Sequence, residues 1–126
     1  MSIRTPYARV QGLGSAKEGV GHFIAQRLSA AALIPLFLIF IAFIISIADA
    51  DYETFKARIS SPLMATPLLL LILTGFYHMR IGVQVVIEDY IHKHGTKLLL
   101  LALNTFWAVG GALLCIYSVL KLSFAG

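Results

Sequence analysis

Three long apolar stretches divide the chain. Residues 28–48, 59–79 and 98–120 contain no Asp, Glu, Lys or Arg. Each stretch is close to the ~20 residues that an α-helix needs to cross the hydrocarbon core of a bilayer. The pattern predicts an all-α integral membrane protein, a single membrane-anchor domain over residues 1–126, with transmembrane helices at 22–48, 62–90 and 97–122.

The segments between these helices are short and polar. Residues 1–20 form a predicted cytoplasmic arm, whose glycines argue against a long regular helix. Loops are expected at Asp49–Ser61 and Ile91–Thr96. Pro35 should kink or loosen the first transmembrane helix, whereas Pro62 suits the first turn of the second.

Composition excludes several classes of protein. The chain is 59% hydrophobic and only 13% charged, whereas a soluble domain carries about 25% charged residues. Three apolar helices in so short a chain leave no polar shell to cover them. Cys115 is the single cysteine, so an intrachain disulfide is excluded and Cys-ligated zinc or iron–sulfur sites are disfavoured. The net charge of +4 does not point to nucleic acid.

The basic residues predict an orientation in the membrane. Six of them lie before or at the start of the first helix, or between the second and third helices: Arg4, Arg9, Lys17, Arg27, Lys93 and Lys97. Three lie in the first loop or the C-terminal tail: Lys56, Arg58 and Lys121. The positive-inside rule then places the N-terminus in the cytoplasm and the C-terminus outside. The end of the second helix faces the cytoplasm.

His78 lies near the middle of the second helix. An ionisable side chain at membrane depth is costly and is usually functional, and imidazole is a common axial ligand of haem iron. A hydrogen-bonded core histidine is the alternative. Asp89 follows eleven residues later, on the same helix face and roughly 16 Å along the axis. Gly82 lies between them and leaves room for a flat macrocycle.

No other histidine is predicted to lie deep in the membrane. His22, His92 and His94 are expected near the surface, in contact with water. A haem with two histidine ligands would therefore take its second ligand from another polypeptide.

Asp89 and Tyr90 mark the point where the second helix leaves the apolar zone. Tyrosine often anchors helices at this level, but a phenol and a carboxylate there could also bind a quinone headgroup and supply protons. Arg80, about 200° around the helix from His78, and Arg27 are candidates for haem propionate contacts. Plain topology signalling explains both arginines equally well.

The run from His78 to Tyr90 has the pattern His-x-Arg-x-Gly-x-x-x-Val-x-x-Asp-Tyr. It resembles the signature of the hydrophobic membrane anchor subunit of succinate dehydrogenase (respiratory complex II). Arg27-x-Ser29-Ala30 resembles the start of that family's first helix, so the similarity covers nearly the whole chain. Many members carry a second histidine where this chain has Arg80, which leaves the role of Arg80 open.

The resemblance implies a role for each matching residue. His78 matches the axial ligand of a haem b shared with a cytochrome b membrane subunit. Tyr90 matches the tyrosine that hydrogen-bonds the quinone, and Asp89 its acidic neighbour. The family transfers electrons from succinate to ubiquinone, with FAD in a flavoprotein subunit and iron–sulfur clusters in an iron–sulfur subunit. This chain alone would not be catalytic.

The same resemblance implies the bacterial inner membrane, or the mitochondrial inner membrane in a eukaryote. The helical bundle would then be completed by a partner subunit. Three alternatives remain: a fumarate reductase anchor that oxidises quinol, a structural subunit without a cofactor, and a transporter or channel. A transporter would need polar residues along several helix faces, and the first and third helices carry few.

Overall fold

The computed structural model describes the backbone of residues 16–124 and the side chains of residues 20–124. This part of the chain forms four α-helices and contains no strand: α1 (Ala16–Ser46), α2 (Tyr52–Ser60), α3 (Pro62–Tyr90) and α4 (His94–Phe124). Three segments are long and apolar enough to cross a membrane: Val20–Ser46, Pro62–Tyr90 and His94–Phe124. The predicted all-α fold with three transmembrane helices is confirmed.

Helix α3 lies between the other two long helices. It packs against α1 on one side and α4 on the other, whereas within residues 16–124 the backbones of α1 and α4 do not approach each other closely. The three helices therefore form a layer rather than a closed bundle. Much of its apolar surface is open: Ile45 of α1 is 72% exposed and Phe106 of α4 is 78% exposed. Such a surface requires lipid or a protein partner.

The best-packed part of the layer lies at the end where α2 crosses it. Phe43 of α1, Ile59 of α2 and Val119 of α4 are buried together, and Leu68 and Ile72 of α3 pack against them. Each transmembrane helix thus contributes to one small core. Burying apolar side chains here holds the helix ends together and fixes the position of α2.

Polar contacts define both ends of the connection between α1 and α3. Asp51 is the N-cap of α2, and its carboxylate accepts a hydrogen bond from the Thr54 N–H at 3.0 Å. The Thr54 side chain, and then its backbone N–H, hold the pKa of Asp51 below its usual value. Arg58 donates to the backbone oxygen of Ser46 at 2.7 Å, which satisfies a carbonyl at the end of α1.

The prediction of a loop over Asp49–Ser61 is wrong, because residues 52–60 form α2. A nine-residue helix with several charges is missed by any search for long apolar stretches. Its signals are local: a capping aspartate at its start, and Phe55 and Ile59 spaced by four residues. Contacts with the rest of the fold stabilise it, since so short a helix is marginal alone.

The helix bounds differ at three other places. Helix α1 already begins at Ala16, so the last residues of the predicted arm are helical despite their glycines; residues 1–15 lie outside the described part. Helix α1 ends at Ser46 rather than at residue 48. Helix α4 covers His94–Phe124 instead of 97–122, which shortens the preceding loop. Helix α3 has the expected bounds, and Pro35 lies inside a continuous α1.

Candidate functional site

His78 faces α1, where it meets a buried serine. Its Nδ1 atom lies 2.9 Å from the Oγ atom of Ser29. Ser29 is only 7% exposed, so the contact lies inside the α1–α3 interface, away from bulk solvent. The two residues are 49 positions apart in the chain, and their contact fixes how α1 is rotated against α3.

The second hydrogen bond of Ser29 is compatible with one tautomer of His78, the one with the proton on Nδ1. The Ser29 hydroxyl donates to the backbone oxygen of Gln26 at 3.0 Å. A serine hydroxyl has one hydrogen, so with that hydrogen directed to Gln26 the Nδ1–H of His78 is the donor to Ser29. The Nε2 atom then keeps its lone pair. This is the arrangement in which metal-ligating histidines are usually held.

A groove of about 400 Å³ lies along the same α1–α3 interface, towards the C-terminal end of α3. Gly82 forms part of its floor, and a Cβ atom placed there would have only Gln26 Nε2 near it, at 3.7 Å. The Oε1 atom of Gln26 is buried and has no hydrogen-bond partner in the described residues. The groove thus offers space beside a glycine, and Gln26 lies in its wall.

Arg27, a candidate for a haem propionate contact, also lines this groove. Its guanidinium lies over the ring of Phe23, 4.8 Å from the ring centroid. The exposed His22 lines the groove as well. A cation and a glycine gap therefore lie at one opening, one turn of α3 beyond His78.

Arg80 lies on the opposite side of α3. Its Nε atom donates to the Thr105 hydroxyl of α4 at 3.4 Å, and its backbone oxygen accepts a hydrogen bond from Asn104 at 3.0 Å. A separate groove of about 390 Å³ contains Arg80 and Thr105. The structure therefore does not bring Arg80 and His78 together, in agreement with the large angle between them on the helix.

Asp89 and Tyr90 end α3 and are exposed, Tyr90 at 75%. Within residues 16–124 no hydrogen bond engages either side chain. The neighbouring Glu88 accepts a hydrogen bond from Gln84 at 3.0 Å and leaves Asp89 unpaired. Both side chains are therefore open to solvent at the end of α3.

Two buried polar residues are not identified as important by the sequence. Ser29 stands out only within a resemblance to a helix start, and Asn104, at 8% exposure, only as an isolated polar residue in an apolar helix. Their partners lie on another helix, so no local pattern identifies them. Among the described residues, no group of three His, Cys, Asp or Glu side chains could hold a metal.

The chain is similar to a set of known proteins. A family model described as "Succinate dehydrogenase/Fumarate reductase transmembrane subunit" matches residues 1–112. A succinate dehydrogenase hydrophobic membrane anchor subunit of Paracoccus denitrificans is 34% identical over 113 residues, 86% of this chain and 85% of that protein. The subunit of the same name from Rickettsia bellii is 34% identical over 89 residues, 71% of each chain. That from Rickettsia conorii is 28% identical over 93 residues, 73% of this chain and 74% of its own.

Proposed function

The chain belongs to the succinate dehydrogenase/fumarate reductase transmembrane subunit family, and we propose that, as a membrane anchor of succinate dehydrogenase, it also binds haem b and quinone. In this proposal His78 is an axial ligand of the haem iron, and Tyr90 and Asp89 form part of the quinone-reduction site. Electrons from succinate would reach ubiquinone beside this chain.

The contact between Ser29 and His78 carries the haem proposal. It holds the imidazole ring by Nδ1, at 2.9 Å, and in the tautomer with the proton on Nδ1 the Nε2 atom keeps a lone pair for a metal. Arg27 and the groove beside Gly82 fit the propionates and the edge of a flat macrocycle. Bound haem b would supply a one-electron carrier inside the membrane.

The second axial ligand would come from a partner. His78 is the one histidine within the apolar part of the described helices, while His22, His92 and His94 are exposed. A cytochrome b membrane subunit packed on the open side of the layer would supply the other histidine. The uncovered apolar surface of α1 and α4 is consistent with such a partner.

Exposure at the end of α3 supports the quinone proposal. The Tyr90 hydroxyl can donate a hydrogen bond to a quinone carbonyl, and the Asp89 carboxyl can deliver a proton as the quinone is reduced. Neither group is engaged within the described chain. Flavoprotein and iron–sulfur subunits, with FAD and the clusters, would dock at this end and complete the pocket.

The distribution of lysine and arginine supports an orientation with the N-terminus in the cytoplasm and the C-terminus outside, in a bacterial inner membrane. The reaction direction follows the relatives: each of the three described above is named for succinate dehydrogenase. The family description also includes fumarate reductases, in which an anchor of this kind would take part in quinol oxidation instead of quinone reduction.

A visible and electron-spin-resonance spectrum of the intact complex, purified through a tag on this chain in mild detergent, tests the haem proposal. We expect a low-spin b-type signal that succinate reduces. His78→Ala should abolish the low-spin signal while all subunits are retained. His22→Ala is the matched control, because this exposed histidine lines the adjacent groove. An unchanged low-spin signal in His78→Ala would remove His78 as a ligand.

A further inference from the structure

A second groove lies at the opposite end of the molecule, between α2 and α4. It has a volume of about 470 Å³ and is lined by Tyr52 and Lys56 of α2 and by Tyr117 and Lys121 of α4. The site described above uses none of these residues. Its lining residues include two lysines and two tyrosines, and no Asp or Glu lines it.

The two helices build this groove in the same way. In each of them a lysine follows a tyrosine by four residues, so both side chains lie on one helix face. Helix α2 packs against the end of α4. The Ser60 hydroxyl of α2 donates to the backbone oxygen of Lys56 at 2.6 Å and lies 3.1 Å from the backbone oxygen of Leu122 in α4. The buried Ile59 also contributes to the core beside α4. The two faces are therefore held in register by packing.

Along α4 the groove changes from apolar to cationic. Leu114 lies one turn deeper in the transmembrane helix than Tyr117, and Lys121 lies one turn beyond it. The seven residues from Leu114 to Lys121 rise about 10 Å along the axis. This order of groups matches a phospholipid that enters the membrane from its surface: acyl chain, glycerol esters, then phosphate. Tyrosines are common at the level of the esters.

We propose that this groove binds an anionic phospholipid. Its phosphate lies between Lys56 and Lys121 and accepts hydrogen bonds from the phenols of Tyr52 and Tyr117, while an acyl chain runs along Leu114. Basic pockets between transmembrane helices on the cytoplasmic side recognise lipid headgroups in this way, and this groove places the same chemistry at the opposite membrane surface. A protein partner with an acidic segment could satisfy the two lysines, but it would leave the apolar end of the groove uncovered, whereas a lipid fills both ends.

This assignment depends only on the chain being a membrane protein and not on haem or quinone binding. In the test, the intact complex in mild detergent is equilibrated with phosphatidylglycerol and phosphatidylethanolamine at a known ratio. Native mass spectrometry then measures how much of each lipid stays bound when the detergent is removed. Removing both charges, in Lys56→Gln/Lys121→Gln, should weaken phosphatidylglycerol retention about 25-fold, because each lysine contributes about fivefold. Lys56→Arg/Lys121→Arg should retain the lipid, because the charge is preserved.

The matched control is Lys93→Gln/Lys97→Gln, which removes the same charge at the other end of α4 and should leave retention unchanged. Equal retention in wild type and Lys56→Gln/Lys121→Gln would overturn the proposal. Equal losses in both double variants would also overturn it, because the effect would then be one of overall charge. Displacement of the lipid by excess inorganic phosphate would indicate a simple anion pocket instead. Subunit content and the haem spectrum show whether each variant is assembled.

Discussion

Replacing Ser29 by alanine tests the most specific contact in the structure. The substitution removes one hydroxyl from the α1–α3 interface and introduces no new bulk. It eliminates the 2.9 Å contact with His78 Nδ1 and the 3.0 Å hydrogen bond to the Gln26 backbone oxygen. The oxygen of Gln26 lies within a helix, so the important loss is the partner of His78.

The size of the effect follows from burial. Ser29 is 7% exposed, so water has little access to replace its hydroxyl, and the Nδ1–H of His78 is left unsatisfied. An unsatisfied buried donor costs about 1–3 kcal/mol. Outer-shell partners of metal ligands typically contribute about 10–100-fold in metal affinity, which is about 1.4–2.8 kcal/mol. The two ranges agree, and we expect haem affinity to fall at least about tenfold.

Haem retention in the intact complex is the appropriate assay, measured by dilution in detergent together with a potentiometric titration of the b-type signal. Ser46→Ala is a closely matched control, because the Ser46 hydroxyl donates to the backbone oxygen three residues earlier in the same helix, at 2.7 Å. That hydroxyl makes no hydrogen bond to another helix among the described residues. Ser29→Thr keeps a hydroxyl and should restore most of the affinity.

Ser29→Ala should retain all subunits and should still oxidise succinate with an artificial dye, since flavin chemistry is assigned to another chain. The reasoning fails if Ser29→Ala and Ser46→Ala have the same haem affinity and the same midpoint potential. In that case Nδ1 of His78 would not be held by this serine in the assembled complex.

Three further predictions concern other parts of the molecule. Tyr90→Phe should slow quinone reduction about tenfold, the value of one hydrogen bond of about 1.4 kcal/mol, and leave dye-linked succinate oxidation intact; unchanged steady-state quinone kinetics would exclude the phenol from the site. Gly111→Ala should lower stability in detergent by about 1 kcal/mol, because the added Cβ atom would lie 2.6 Å from the ring of Phe76. Gly110→Ala is the control: its added Cβ atom has nothing within 4 Å, so this variant should be neutral or slightly stabilised. Equal melting temperatures of the two variants would contradict this packing. Hydrogen bonds from Thr54 lower the pKa of Asp51, so the stability that this carboxylate contributes is complete above about pH 4 and is lost as the pH falls through the lowered pKa. Asp51→Asn keeps a capping side chain and should make the stability depend less on pH below about pH 4. An identical pH profile of stability in the variant and the wild type would show that Asp51 does not contribute.

The long helices were predictable because charge is segregated along the chain. Three uncharged stretches of bilayer length leave little choice of architecture, and the bounds of α3 were predicted without error. Helix α2 was not predictable in the same way, because its stability comes from Ile59 packing against the ends of other helices. A contact that forms only in the folded protein is hard to predict from a nine-residue segment.

Some features of the candidate site were predictable from the sequence and others were not. The shared face of His78, Gly82 and Asp89 follows from the helical period alone, as does the position of Arg80 on the other side of α3. Ser29 as the partner of His78 could not be predicted, because it depends on how α1 is rotated against α3. That rotation results from packing along both helices and is not a property of either sequence segment.

The position of α3 between two neighbours also separates the candidates for a propionate contact. His78 lies at the α1–α3 interface, next to the groove that contains Arg27 and Gly82. Arg80 lies at the α3–α4 interface, where Thr105 and Asn104 bind its guanidinium and its backbone oxygen. The body of α3 lies between the two interfaces, so a group held by His78 on the α1 side would lie nearer to Arg27 than to Arg80. The arrangement therefore favours Arg27 as the cation for a haem in the proposed site, whereas Arg80 joins the second and third transmembrane helices through polar contacts.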